Sequence, residues 1–107
     1  MSKTFQQVAD LISRGEVRIS AHGYEELAED DILAKDAVTG ALNGTVVEDY
    51  PEFHKGPSVL VLQQDANDQP IHVVWGIPKG KLSPAVLVTA YRPDPARWSR
   101  DFTRRKI

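Results

Sequence analysis

The chain has 107 residues, 41% of them apolar and 26% charged, with a formal net charge of −2 and no cysteine. That length suits one domain burying roughly 65% of the surface its unfolded chain exposes, and the composition excludes a disordered polymer. The missing cysteine excludes a disulfide framework, a thiolate zinc site and a cysteine nucleophile. The opening stretch Met1–Gln6 is polar and lacks the apolar core of a signal sequence. The longest apolar runs are far short of the roughly 20 residues that span a bilayer, so the expectation is a cytoplasmic protein with no membrane contact.

The charge is unevenly spread. Residues 21–52 hold Glu25, Glu26, Glu29, Asp30, Asp31, Asp36, Glu48, Asp49 and Glu52 against Lys35 alone. From Arg92 onward, Arg92, Arg97, Arg100, Arg104, Arg105 and Lys106 face only Asp94 and Asp101. Only this basic end has the local charge that phosphate binding requires. The plainer reading is that the two halves attract each other or face solvent separately.

Thr4, with Gln7 as its capping-box partner, predicts the start of a first helix. Phe5, Val8, Ala9 and Ile12 form its apolar face and Gly15 its stop. Val17–Ser20 alternates as a short edge strand. Ser20 then caps a second helix to about Asp30, with Tyr24, Leu27 and Ala28 inward. Asp30 or Asp31 caps a third, with the stripe Ala34, Ala37, Val38, Ala41 and Leu42, ending at Gly44. Beyond Gly44 the period changes. Strands are predicted at Thr45–Tyr50, Val59–Leu62, Ile71–Ile77 and Ala85–Tyr91, with a hairpin turn over Asp65–Gln69. Pro95 suits the first turn of a short C-terminal helix. The short connections require an antiparallel meander, so the expected class is α+β: N-terminal helices packed on a sheet of about four strands.

His22, just past a helix cap, can move a proton, with Glu25 or Glu26 on the same face to orient it; it equally suits a surface ion pair. His72, opposite in facing to Trp75, points at the face the helices leave open; it also suits a half-buried histidine bonded to a backbone carbonyl. His54 has no patterned neighbours. Arg92, in Tyr91-Arg92-Pro93-Asp94-Pro95, leaves a strand with fixed geometry. It could clamp a phosphate or simply pair with Asp94. Trp75 and Trp98 suit core or docking roles better than base stacking. Lys79 and Lys81 flank Gly80 on a loop. No Walker loop, G-x-G-x-x-G, G-x-S-x-G or H-E-x-x-H is present, which makes nucleotide-cofactor enzymes, serine hydrolases and zinc proteases poor readings. No cofactor and no metal site are expected.

Several stretches together resemble the DUF4258 family: Val17 to Ala28, Val47-Glu48-Asp49-Tyr50-Pro51, Gly56 to Leu62, Ile71-His72-Val73-Val74 and Tyr91 to Trp98. That family is similar to the RelE-like toxins, small α+β proteins whose helices pack on an antiparallel sheet, and its own members are often encoded beside DNA-binding antitoxin-like proteins. The resemblance implies a metal-independent endoribonuclease of a toxin-antitoxin-type system, with RNA and an antitoxin-like protein as partners. It offers His22 and His72 as proton-transfer groups and Tyr91 with Arg92 as phosphate contacts. Lys79, Lys81, Arg97, Arg100, Arg104 and Arg105 remain as RNA- or partner-binding cations. Many members carry arginines where this chain has Glu26 and Asp30, which weakens attraction for RNA. The competing reading is a non-catalytic partner-binding module or inactive relative. The two diverge on whether His72 and Arg92 line one open cleft, with Tyr91 at its edge and His22 at its rim.

Overall fold

The computed structural model describes residues 2–106. Helix α1 (Lys3–Ser13) is followed by strand β1 (Val17–Ile19), helix α2 (Ala21–Glu29) and helix α3 (Ala34–Gly40). A 3-10 turn at Ala41–Asn43 leads to β2 (Thr45–Tyr50), β3 (Ser58–Gln64), β4 (Pro70–Gly76) and β5 (Ala85–Tyr91). The α+β class is as expected, but the sheet has five strands in the order β1-β5-β4-β3-β2. β2 to β5 form the antiparallel meander, and β1 joins the far edge parallel to β5. The helix α2 that follows β1 lies against β5, which brings the edge strand alongside.

Local chemistry explains the joints. Ser2, not Thr4, caps α1: its side chain accepts from the Phe5 amide at 3.0 Å, and Thr4 is buried inside the helix. Ser20 caps α2 through the Gly23 amide at 2.9 Å and donates to the Val88 carbonyl at 3.1 Å, tying the helix start to β5. Gly23 permits that closeness, since a Cβ there would stand 2.7 Å from the Leu87 carbonyl oxygen. The helix consequently turns Gly23 and Leu27 inward and leaves Tyr24 58% exposed and Ala28 exposed, against the predicted face. α3 starts at Leu33 with no side-chain cap; Asp31 instead adopts a left-handed turn at φ 55°. Leu42, in the 3-10 turn, is exposed rather than part of the stripe.

The helices cover one face of the sheet. Val8, Leu11 and Ile12 of α1, Leu27 and Ala37 pack on Val59, Val61, Ile71, Val73, Trp75 and Leu87. Gln63 is the polar member of this layer. It accepts from Trp75 Nε1 at 3.0 Å and donates to the Ala37 carbonyl at 2.7 Å, so it joins β3, β4 and α3.

Alternation along the strands sends Leu60, Leu62, His72 and Val74 to the opposite, outer face. A bulge at Val47 puts Glu48 opposite Leu60, and a second at Val88 puts Thr89 opposite Val74 and Tyr91 opposite His72. The C-terminal segment does not form the expected helix. Its Arg97 and Trp98 amides bond to the Asp94 carbonyl, and Trp98 then bridges antiparallel to Arg105. Asp101 explains why. Its carboxylate accepts from the Thr103 amide at 3.2 Å, as well as from Ser99 Oγ at 2.8 Å and Thr103 Oγ1 at 2.7 Å, which offers the backbone a turn in place of a helix. This folded-back segment lies across one half of the outer face.

Candidate functional site

Beneath the C-terminal segment, β2, β4 and β5 bring Glu48, His72 and Tyr91 onto one patch of the sheet. Glu48 and Tyr50 reach it together because they lie two positions apart on one strand and so share a face. Tyr50 Oη donates to Glu48 Oε1. His72 and Tyr91 are direct cross-strand partners, with His72 Nδ1 3.1 Å from Tyr91 Oη.

The segment supplies the rest. Trp98, 4% exposed, sets its ring edge-on to His72 with centroids 4.4 Å apart. The Phe102 carbonyl lies 2.9 Å from His72 Nε2. Arg105 grips Glu48 with Nε to Oε2 at 2.7 Å and Nη2 to Oε1 at 3.0 Å, while its guanidinium stacks on Trp98 at 4.8 Å.

These contacts define the state of His72. A carbonyl can only accept, so Nε2 carries a proton, and in the neutral ring, which burial favours, Nδ1 accepts from the Tyr91 hydroxyl. The ring is fully buried, and neither nitrogen is free. Burial holds its pKa below the ordinary histidine value, against the Phe102 hydrogen bond and Glu48, which pull the other way. The Arg105 hydrogen bonds hold the Glu48 carboxyl below its usual range. Tyr50 is raised by its bond to Glu48, and Tyr91 is raised by burial.

The structure thus brings His72 and Tyr91 together and brings neither Arg92 nor His22 to them. Arg92 turns to the acidic ends of other elements. Its amide donates to Asp30 Oδ2 at 2.7 Å, its Nε to the Asp30 carbonyl at 3.2 Å, and its Nη1 lies 3.0 Å from Asp65 Oδ2. Asp30 therefore holds Arg92 through both its carboxylate and its carbonyl, the first on the backbone amide and the second on the guanidinium. His22 sits on α2, exposed, 3.4 Å from Glu26. Lys79, Lys81, Arg97, Arg100 and Arg104 are exposed, and Arg105 alone of the named cations enters the cluster.

A backbone carbonyl on His72 was one of the two expected readings and Phe102 supplies it, but Glu48, Tyr50 and Trp98 were not foreseen around it. The Glu48–Tyr50 spacing was readable as a shared strand face. The tail contacts were not, because nothing local says where an irregular segment will lie. No group of three or more His, Cys, Asp or Glu side chains suited to a metal occurs among the described residues, and no described helix is long and apolar enough to cross a membrane.

The chain matches the family described as "Domain of unknown function (DUF4258)" over residues 19–92. No curated protein and no solved structure matches.

Proposed function

We propose that this chain, which belongs to the DUF4258 family, acts as a non-catalytic, partner-binding relative of the toxin-like ribonucleases. Its partner is a protein of the antitoxin-like kind that the family resemblance implies. One observation carries the reading: His72 is fully buried with both ring nitrogens committed, to Tyr91 and to the Phe102 carbonyl. General acid–base cleavage needs a proton-transfer group within reach of the phosphate. A buried histidine under a tryptophan, with both nitrogens already bonded, does not offer one. The Arg92 guanidinium is likewise committed, to the Asp65 carboxylate and to the Asp30 and Asp31 carbonyls, which leaves it few donors for phosphate. The acidic first half of the chain adds to the repulsion.

A second reading, metal-independent endoribonuclease, is favoured by a different observation. Glu48, Tyr50 and Arg105 meet at the solvent edge of the cluster, and a carboxylate, a phenol and a guanidinium are groups that can take a 2′-hydroxyl proton and hold a phosphate. It ranks second because Glu48 and Arg105 neutralise each other.

One assay separates the two. Purified protein is incubated with mixed single-stranded RNA and chelator, beside Glu48→Gln, His72→Ala and Arg105→Ala variants. The expected result is no cleavage above that of the variants. Cleavage by the parent that Glu48→Gln and Arg105→Ala abolish overturns the binding reading and establishes the second. Cleavage equal in all four samples is contamination and leaves the parent inactive.

A further inference from the structure

The C-terminal segment covers only half of the outer face. The other half is an open groove of about 370 Å³. Val74, Val86 and Val88 line it, Gly76 belongs to its floor, and Tyr50 and Phe53 wall one end. Phe53 is 46% exposed and Val88 37% exposed, although both border an apolar surface. Arg18 and Lys55 stand at the rim, both exposed, and neither has a carboxylate partner among the described residues. Tyr50 borders both halves, since it also bonds Glu48 in the covered one.

We propose that this groove is the docking site for a short segment of a partner protein that carries aliphatic side chains flanked by carboxylates. The inference rests on the binding-module reading and names the surface and the chemistry that reading leaves open. Charge complementarity selects the occupant. The two unpaired cations at the rim call for acids, and the aliphatic walls call for apolar side chains. A volume of this size takes the side chains of a few residues, not a folded domain. Single-stranded RNA fits less well: it needs planar platforms for successive bases and a track of cations for its backbone, and here the two rings, Tyr50 and Phe53, are followed only by aliphatic lining and the cations number two. The covered half shows what this sheet face accepts. There the chain's own irregular segment seats Trp98 and pairs Arg105 with Glu48. In the open half the sign is reversed, with the cations on the sheet side and the acids left for the partner to bring.

The test uses the full-length protein and a fluorescent synthetic peptide that alternates leucine with glutamate. Its controls are the same peptide with lysine for glutamate and a single-stranded RNA of similar length. Anisotropy measures affinity, and methyl NMR locates the contact. The expected result is binding of the glutamate peptide with shifts at Val74, Val86 and Val88, weaker at higher salt. The lysine peptide should bind about tenfold more weakly, the size expected for two exposed pairs turned into repulsions. Val88→Asp should abolish binding, and Arg18→Glu with Lys55→Glu should invert the peptide preference. An unchanged His72 ring signal in these variants confirms that they fold. Shifts outside the groove, equal binding of both peptides, or tighter binding of the RNA overturns the proposal. So does a concentration-dependent dimer that Val88→Asp disrupts, because it puts a second copy in the groove. RNA cleavage in the separate assay would overturn the non-catalytic reading whatever the peptides do. A silent groove would overturn the docking proposal with that reading intact.

Discussion

Replacing Trp98 by alanine should release the C-terminal segment and leave the rest of the domain folded. Trp98 is 4% exposed, and truncating a buried tryptophan costs about 3–5 kcal/mol. Part of that, about 0.5–1 kcal/mol, is its stacking with Arg105. What then holds the segment is the His72–Phe102 hydrogen bond, worth about 1 kcal/mol net. The Arg105–Glu48 pair adds no more than about 1 kcal/mol, because the Arg105 side chain is 63% exposed and solvent screens it. Against these stands a backbone entropy of about 1–2 kcal/mol for each residue kept ordered. The balance turns against docking. None of residues 94–106 belongs to the core on the helix side, so that core survives the loss. Two readouts follow. Amide exchange should accelerate around Trp98–Arg105 while Val61 and Val73 stay protected. The His72 ring should titrate at a higher pH than in the parent, because burial, the leading cause of its low pKa, has been removed. An unchanged His72 titration in a folded Trp98→Ala protein would refute the reasoning. So would loss of the whole fold in one cooperative step, which would make the segment part of the core.

Gln63→Leu should lower the urea midpoint, because it strands the Trp75 Nε1–H and the Ala37 carbonyl, at about 1–3 kcal/mol for each buried orphan; an unchanged midpoint would mean that both find other partners. Arg92→Ala should cost about 1 kcal/mol, as its side chain is 38% exposed, and should cost less in an Asp65→Ala background. Additive effects in that double-mutant cycle would deny the pair any coupling. Acid should loosen the C-terminal segment. His72 and Glu48 both have folded-state pKa values below their unfolded ones, so for each the folded chain binds fewer protons. The stability they contribute is full above the unfolded values and lost as pH falls through the folded ones, His72 beginning below 6.5 and Glu48 below 4.5. His72→Phe should therefore flatten the first part of that decline in a thermal-melt series, and an unaltered profile would count against the assignment.

The strands were legible because their signals are local. Alternation, β-branched runs and the turn at Asp65–Gln69 lie within a few residues of what they determine, and β2 and β5 have the predicted bounds. The misread helix faces have a different cause. Periodicity offered Tyr24 as an inward residue of α2, but Gly23 meets the β5 backbone and rotates the helix so that Tyr24 faces solvent. A glycine scores nothing in an apolar stripe, although its missing side chain is what allows the contact. The expected third-helix cap failed similarly: Asp30 binds the Arg92 amide, a partner 62 residues away in sequence.

The site was half legible for the same reason. That His72 faces away from the helices follows from its offset from Trp75 on one strand, and its pairing with Tyr91 follows from register. Whether that face is open depends on where a stretch without periodicity comes to rest. The basic residues after Arg92 looked like an electrostatic footprint, yet Arg105 spends its charge on Glu48, from the acidic half of the chain. The uneven charge is thus partly internal adhesive, as its plainer reading held. Electrostatics reaching outward should be sought where cations without a carboxylate partner adjoin an apolar surface that can add contact area. Arg18 and Lys55 meet that condition beside an apolar groove, and neither lies in the basic tail where the sequence put the footprint. Reversing those two charges should consequently change partner binding more than neutralising Arg97, Arg100 and Arg104 together. A binding assay in which the tail variants lose more would return the footprint to the C-terminus.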